Sequence, residues 1–111
     1  MDKNYSIYLH DIIDSIDLIE SYLTGASYEK FLENEELQDA VIRRLQIIGE
    51  AAKRVPTKIR DSHPGIEWRE ITGTRNRIIH DYADVDLDLV WDITESKLPE
   101  LKGKISKIIP Q

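Results

Sequence analysis

Apolar side chains recur at steps of three and four along almost the whole chain. Ile12, Ile16, Ile19 and Leu23 form the first stripe, widened by Leu9 and Ile13, and predict an amphipathic helix from Asn4 to about Leu23. Thr24-Gly25-Ala26-Ser27 ends it, with Gly25 suited to the left-handed position that follows a helix. Tyr28 to Leu32 is expected to form one turn capped by Ser27. Asn34 then caps a second long helix, whose first turn places Glu35 and Glu36 at the positive end of the helix dipole. From Leu37 the stripe continues through Val41, Leu45, Ile48, Ala52 and Val55 until Pro56 closes it near Arg54.

Thr57 to Asp61 predicts a short helical turn, and Ser62-His63-Pro64-Gly65 a loop. A third main helix is expected to start at Trp68 and run through Gly73 to about Tyr82. A glycine inside a helix costs roughly 1 kcal/mol against alanine, so Gly73 is expected to permit a close approach by a neighbouring backbone, that of the second helix. Asp84 and Asp86 offer caps for a last helix with Leu87, Trp91, Thr94, Leu98, Leu101, Ile105 and Ile108 on its apolar side. Pro99 should kink that helix or split it. No stretch alternates at period two for long enough to predict a strand. The pattern reads as an all-α fold, an antiparallel up-and-down bundle of four to five helices with short connections.

Composition narrows this picture. The 111 residues predict a single domain spanning 1–111, with no internal repeat. The chain is 41% hydrophobic and 32% charged, and no apolar run approaches the roughly 20 residues that a membrane span requires. With no cysteine there is no disulfide framework and no thiol nucleophile. No signal peptide is visible at the start, so a cytoplasmic location is the expectation. A net charge of −6 argues against coating nucleic acid by bulk attraction, though Arg75, Arg77, Arg43 and Arg44 can make local basic patches.

The chemically capable side chains concentrate in Gly73-Thr74-Arg75-Asn76-Arg77-Ile78-Ile79-His80-Asp81-Tyr82. Arg75 offers a fixed cation with a planar fork of donors for a phosphate, and His80 can exchange protons near neutral pH. On a continuous helix Asn76 and His80 form an i, i+4 pair, and Tyr82 returns to within about 20° of the Arg75 stripe. Arg77 falls about 200° from Arg75, on the opposite side of the helix, where a salt bridge is a natural role. Taken alone, an arginine and a histidine at this spacing also fit a structural ion pair or cap. Trp68 and Trp91 read as packing anchors. No His and carboxylate cluster has metal-ligand spacing, and no glycine-rich phosphate loop is present, so neither metal nor cofactor is expected.

The run from Arg75 to Tyr82 fits the pattern of arginine, four residues, histidine, any residue, tyrosine that marks HepT-like proteins of the HEPN superfamily. Three further blocks resemble the same family in order. Asp39 to Ala52 is similar to its second-helix signature, Ile66 to Ile71 to the entry of the motif helix, and Val85-Asp86-Leu87 with Val90-Trp91 to the segment after that helix. The resemblance covers almost the whole chain, from about Leu9 to Leu101. The one departure next to the motif arginine is Thr74, where an apolar residue is more usual.

The resemblance implies a HEPN-like bundle that forms a homodimer and acts as a metal-independent endoribonuclease toxin on tRNA or mRNA. Arg75 and His80 would be catalytic, and Asn76 and Arg77 would support the phosphate. It further implies an antitoxin partner, a nucleotidyltransferase of the MNT type, which silences the toxin by transferring AMP to Tyr82. The alternative expectation is a non-catalytic accessory subunit that binds substrate for such a transferase.

Overall fold

The computed structural model describes residues 4–81 and 84–110. Its backbone is dominated by helices α1 (Ser6–Tyr22), α2 (Tyr28–Glu33), α3 (Glu35–Arg54), α4 (Thr57–Ser62), α5 (Trp68–Thr72), α6 (Thr74–Ile78), α7 (Leu87–Asp92) and α8 (Leu98–Ile108). The all-α bundle expected from the apolar periodicity is the fold observed, with one short hairpin, Ile79–Asp81 and Asp84–Val85, added to it. Its four layers are α1, α3, the α5–α6 pair, and the run from α7 to α8. The short α2 and α4 serve as connections. Its core joins Leu9, Ile12, Ile16 and Ile19 of α1 to Val41, Leu45, Ile48 and Ala52 of α3, closed by Ile78, Val90, Leu101 and Ile105.

Local chemistry sets the ends of these helices where the sequence indicated. Gly25 takes a positive φ of 77°, which lets the chain turn after α1. The Ser27 hydroxyl accepts from the Lys30 amide at 3.1 Å, and the Asn34 side chain accepts from Leu37 at 3.0 Å, so each caps its helix. Lys53 and Arg54 fill the last turn of α3, opposite in sign to Glu35 and Glu36 in its first. The loop after α4 is held by the Trp68 indole, which donates to the His63 carbonyl, and by Lys104, which donates to that of Gly65.

Two departures from the expected helices reshape the C-terminal half of the chain. The third helix neither runs unbroken through Gly73 nor reaches Tyr82. It ends at Thr72, restarts at Thr74 and stops at Ile78, after which Ile79–Asp81 extends as strand β1 and pairs antiparallel with β2 (Asp84–Val85). Ile79 faces Val85 across this short ladder. β-branched side chains fit a pleated, half-buried surface, and a strand this short shows no period-two signal in sequence.

The second departure is at Pro99. The last helix passes through one wide π turn, Ile93–Lys97, immediately before α8. Proline has no amide to donate and its ring crowds the carbonyl four residues back, and the wide turn absorbs both. No helix among the described residues is long and apolar enough to cross a membrane.

Candidate active site

The polar run is built on a short helix whose inner side is nailed down. Thr74 and Ile78, one turn apart on α6, are buried at 8% and 0% exposure. The Thr74 hydroxyl donates to the Glu70 carbonyl at 2.9 Å, so the buried threonine standing beside the motif arginine ties α6 to α5. Arg77 closes the same junction through its amide, which donates to the Gly73 carbonyl at 3.2 Å.

With that side held inward, Arg75 and Asn76 face solvent. The helix then gives way to strand, and the Ile79 amide makes the last bond back to the Arg75 carbonyl. His80, next along, is exposed on β1, while Ile79 and Val85 turn toward the core. The hairpin is moored at its base by the Asp86 amide, which donates to Ile78 at 2.8 Å, and by the Asp86 carboxylate, which caps α7 at Leu89.

The structure therefore brings Arg75, Asn76 and His80 to one exposed helix-to-strand junction. It does not make Asn76 and His80 an i, i+4 pair, because the helix ends between them. Tyr82, the expected acceptor of AMP, lies outside the described residues. Among the described residues, no group of three or more His, Asp or Glu side chains is arranged to hold a metal ion.

Arg77 is placed differently from Arg75. It is half-buried and lines an apolar pocket walled by Leu45, Ile48, Ile71 and Leu98, with Glu67, Glu70 and Lys97 at its polar edge. Neither Arg75 nor His80 lines this pocket. The Glu67 carboxyl as hydrogen-bond partner, and then the Lys97 and Arg77 charges, hold Glu70 below its ordinary carboxylate value, with burial opposing.

One residue of this arrangement went unrecognised in the sequence. The close approach between α3 and the motif segment exists, but the glycine that permits it is Gly49, not Gly73. A Cβ at Gly49 would stand 3.2 Å from the Ile71 carbonyl oxygen and 3.9 Å from that of Thr72. A Cβ at Gly73 would meet Arg69 and Glu70 of its own preceding turn, and nothing of α3. The available signal was a glycine inside the otherwise strong α3 stripe, beside Ile48.

The structure is a helical bundle with an arginine and a histidine exposed where its motif helix gives way to a short strand, and sequence comparison gives the family to which the chain belongs. A family model described as ribonuclease HepT-like matches residues 12–108. The chain is 41% identical over 108 residues to the protein named "Probable ribonuclease HepT" of Thermococcus cleftensis, covering 97% of this chain and 98% of that one. It is also 41% identical over 111 residues to a Methanocaldococcus jannaschii protein named "Gamma-glutamylcyclotransferase and putative RNase", and spans 50% of that longer protein. No solved structure matches. The chain belongs to the ribonuclease HepT-like family.

Proposed function

We propose that this chain is an endoribonuclease toxin that works as a homodimer and cleaves RNA, tRNA or mRNA, without a metal ion. The observation that carries the reading is the shared exposure of Arg75 and His80 at the α6–β1 junction of a ribonuclease HepT-like chain. The names of its relatives support the same class.

The chemistry follows from the groups. The 2′-hydroxyl oxygen attacks the adjacent phosphorus as a base takes its proton, the bond from phosphorus to the 5′-oxygen breaks, and an acid protonates that oxygen. The products are a 2′,3′-cyclic phosphate and a 5′-hydroxyl. His80 serves as base or acid, since a histidine has a reference pKa of about 6.5. Arg75 binds the phosphate oxygens through its fork and stabilises the crowded, more negative phosphorane. Asn76 holds the same phosphate from the adjoining position. Each chain contributes one motif histidine, so two chains meeting about a twofold axis supply both the base and the acid.

Control comes from a partner nucleotidyltransferase of the MNT type. The Tyr82 phenol oxygen attacks the α-phosphorus of ATP, pyrophosphate leaves, and the phenol proton passes to a base on the partner. The added phosphate places negative charge where the RNA phosphate must bind.

The test is to express the chain and His80→Ala under tight induction, then to assay the purified proteins on total RNA in EDTA. Growth arrest and EDTA-resistant cleavage by the parent, with both abolished in a folded His80→Ala, are the expected outcomes. Cleavage that disappears in EDTA and returns with a divalent ion removes the metal-independent chemistry. If both chains are inert although folded and still bind the transferase, the accessory-subunit reading replaces catalysis.

A further inference from the structure

We propose that Gly49 is a positioning residue of the Arg75 and His80 site: the missing side chain there sets how closely the motif segment lies on α3, and so where Arg75 stands relative to His80. Gly49 is buried in the C-terminal half of α3, five residues before its end at Arg54. An alanine Cβ there would be 3.2 Å from the Ile71 carbonyl oxygen, a contact relieved only if the neighbour gives by a few tenths of an ångström. The neighbour is backbone, so no side-chain rotation relieves it.

The α5–α6 pair passes such a shift along as one body. Gly73 donates to Arg69, Thr74 to the Glu70 carbonyl, and Arg77 to Gly73, so bonds cross the break between the two helices. Ile78, with 0% exposure, anchors the far end. Lifting Ile71 away from α3 therefore tilts α6 about Ile78. Arg75 lies between the lifted point and the pivot and is displaced, whereas His80 lies beyond the pivot on the hairpin that Asp86 moors. The spacing of cation and histidine changes although neither residue is touched.

Gly103 supplies an internal control. It is also a glycine in a helix interior, that of α8, and a Cβ there meets no atom within 4 Å. Both glycines cost their helices about 1 kcal/mol against alanine, so the two alanine variants gain the same intrinsic helix propensity and differ in contact.

The effect on rate rests on the ribonuclease reading, and the effect on structure does not. The experiment compares full-length Gly49→Ala, Gly103→Ala and the destabilised core variant Ile16→Val by amide chemical shifts, thermal melting and cleavage kinetics on RNA. Gly49→Ala is expected to shift amides through Arg75 and leave α1 and the far end of α8 in place. It should lower kcat roughly tenfold with KM within about twofold, as expected for a displacement well under an ångström. Gly103→Ala and Ile16→Val should keep the parent kcat. Shifts that stop at Ile71 and Thr72, an equal loss of kcat in Ile16→Val, or failure of Gly49→Ala to fold would each overturn the proposal. If the parent itself cuts no RNA, the ribonuclease reading falls, while the Arg75 amide shift still decides the role of Gly49.

Discussion

Arg75 and Arg77 stand two positions apart, which on a helix turns them about 200° from one another. One is exposed beside Asn76, and the other is half-buried at the edge of the pocket that Glu70 and Lys97 share. Two arginines of equal intrinsic chemistry thus meet different surroundings, Arg75 open to solvent and Arg77 near enough to add to the effect of Glu67 and Lys97 in lowering the pKa of the Glu70 carboxyl. Thr74 between Gly73 and Arg75 explains the departure from an apolar residue there, since the residue is buried with its hydroxyl satisfied by the Glu70 carbonyl. At the same scale, Tyr82→Phe removes only the phenol oxygen that, under the proposed control step, would accept AMP. The variant should cleave RNA within about twofold of the parent, yet arrest growth even when the transferase is co-expressed. Mass spectrometry should show no AMP on it. Normal silencing of the variant would remove Tyr82 from the control step.

At the scale of elements, the π turn before α8 sets the register of the last helix as well as making room for Pro99. Val90 and Leu98 are both buried although eight positions apart, a spacing that leaves them about 80° apart on an unbroken α-helix. A turn closed by i→i+5 bonds takes up an additional residue and returns Leu98 to the buried side with Leu101 and Ile105. The wide turn is therefore held by packing on both flanks. Pro99→Ala should leave it in place and change stability by less than about 1 kcal/mol, whereas freeing a proline from the middle of an ordinary helix returns about 3 kcal/mol. Denaturant unfolding distinguishes these outcomes. The same logic governs the motif segment, where the buried pair Thr74 and Ile78 and the facing pair Ile79 and Val85 convert an expected single helix into a short helix and a hairpin.

At the scale of the molecule, contacts far apart in sequence hold the site's surroundings. Phe31 and Tyr28 of α2 pack their rings on Trp91 of α7, with centroids 5.4 and 5.7 Å apart, and the Tyr28 hydroxyl donates to Asp88. The small connecting helix thereby fixes α7, whose cap Asp86 moors the hairpin that carries His80. Phe31 is fully buried, so Phe31→Ala should cost about 3–5 kcal/mol, measured as a lowered thermal midpoint. Amide exchange in this variant should accelerate in the hairpin as well as in α2. Acceleration confined to α2 would show that Trp91 does not couple the two.

Much of this architecture is legible in the amino-acid sequence, for identifiable reasons. The stripes of α1, α3 and α8 repeat over several turns, and their caps at Ser27, Asn34 and Asp86 act through groups only three residues away. Information of that range lies wholly in the local sequence, as do the chemical capacities of Arg75 and His80 and the spacing that marks the family. The end of the motif helix at Ile78 is not legible there, because it depends on Val85 pairing with Ile79. Nor is the role of Gly49, since its near neighbour, the Ile71 carbonyl, is a backbone atom more than twenty positions away, with nothing in its residue type to announce it. The sequence by itself determined the helical bundle, the family and the reactive side chains. Only the tertiary structure decided which arginine faces solvent, where helix becomes strand, and which glycine lets two backbones meet, because each of these is settled by what packs against the segment.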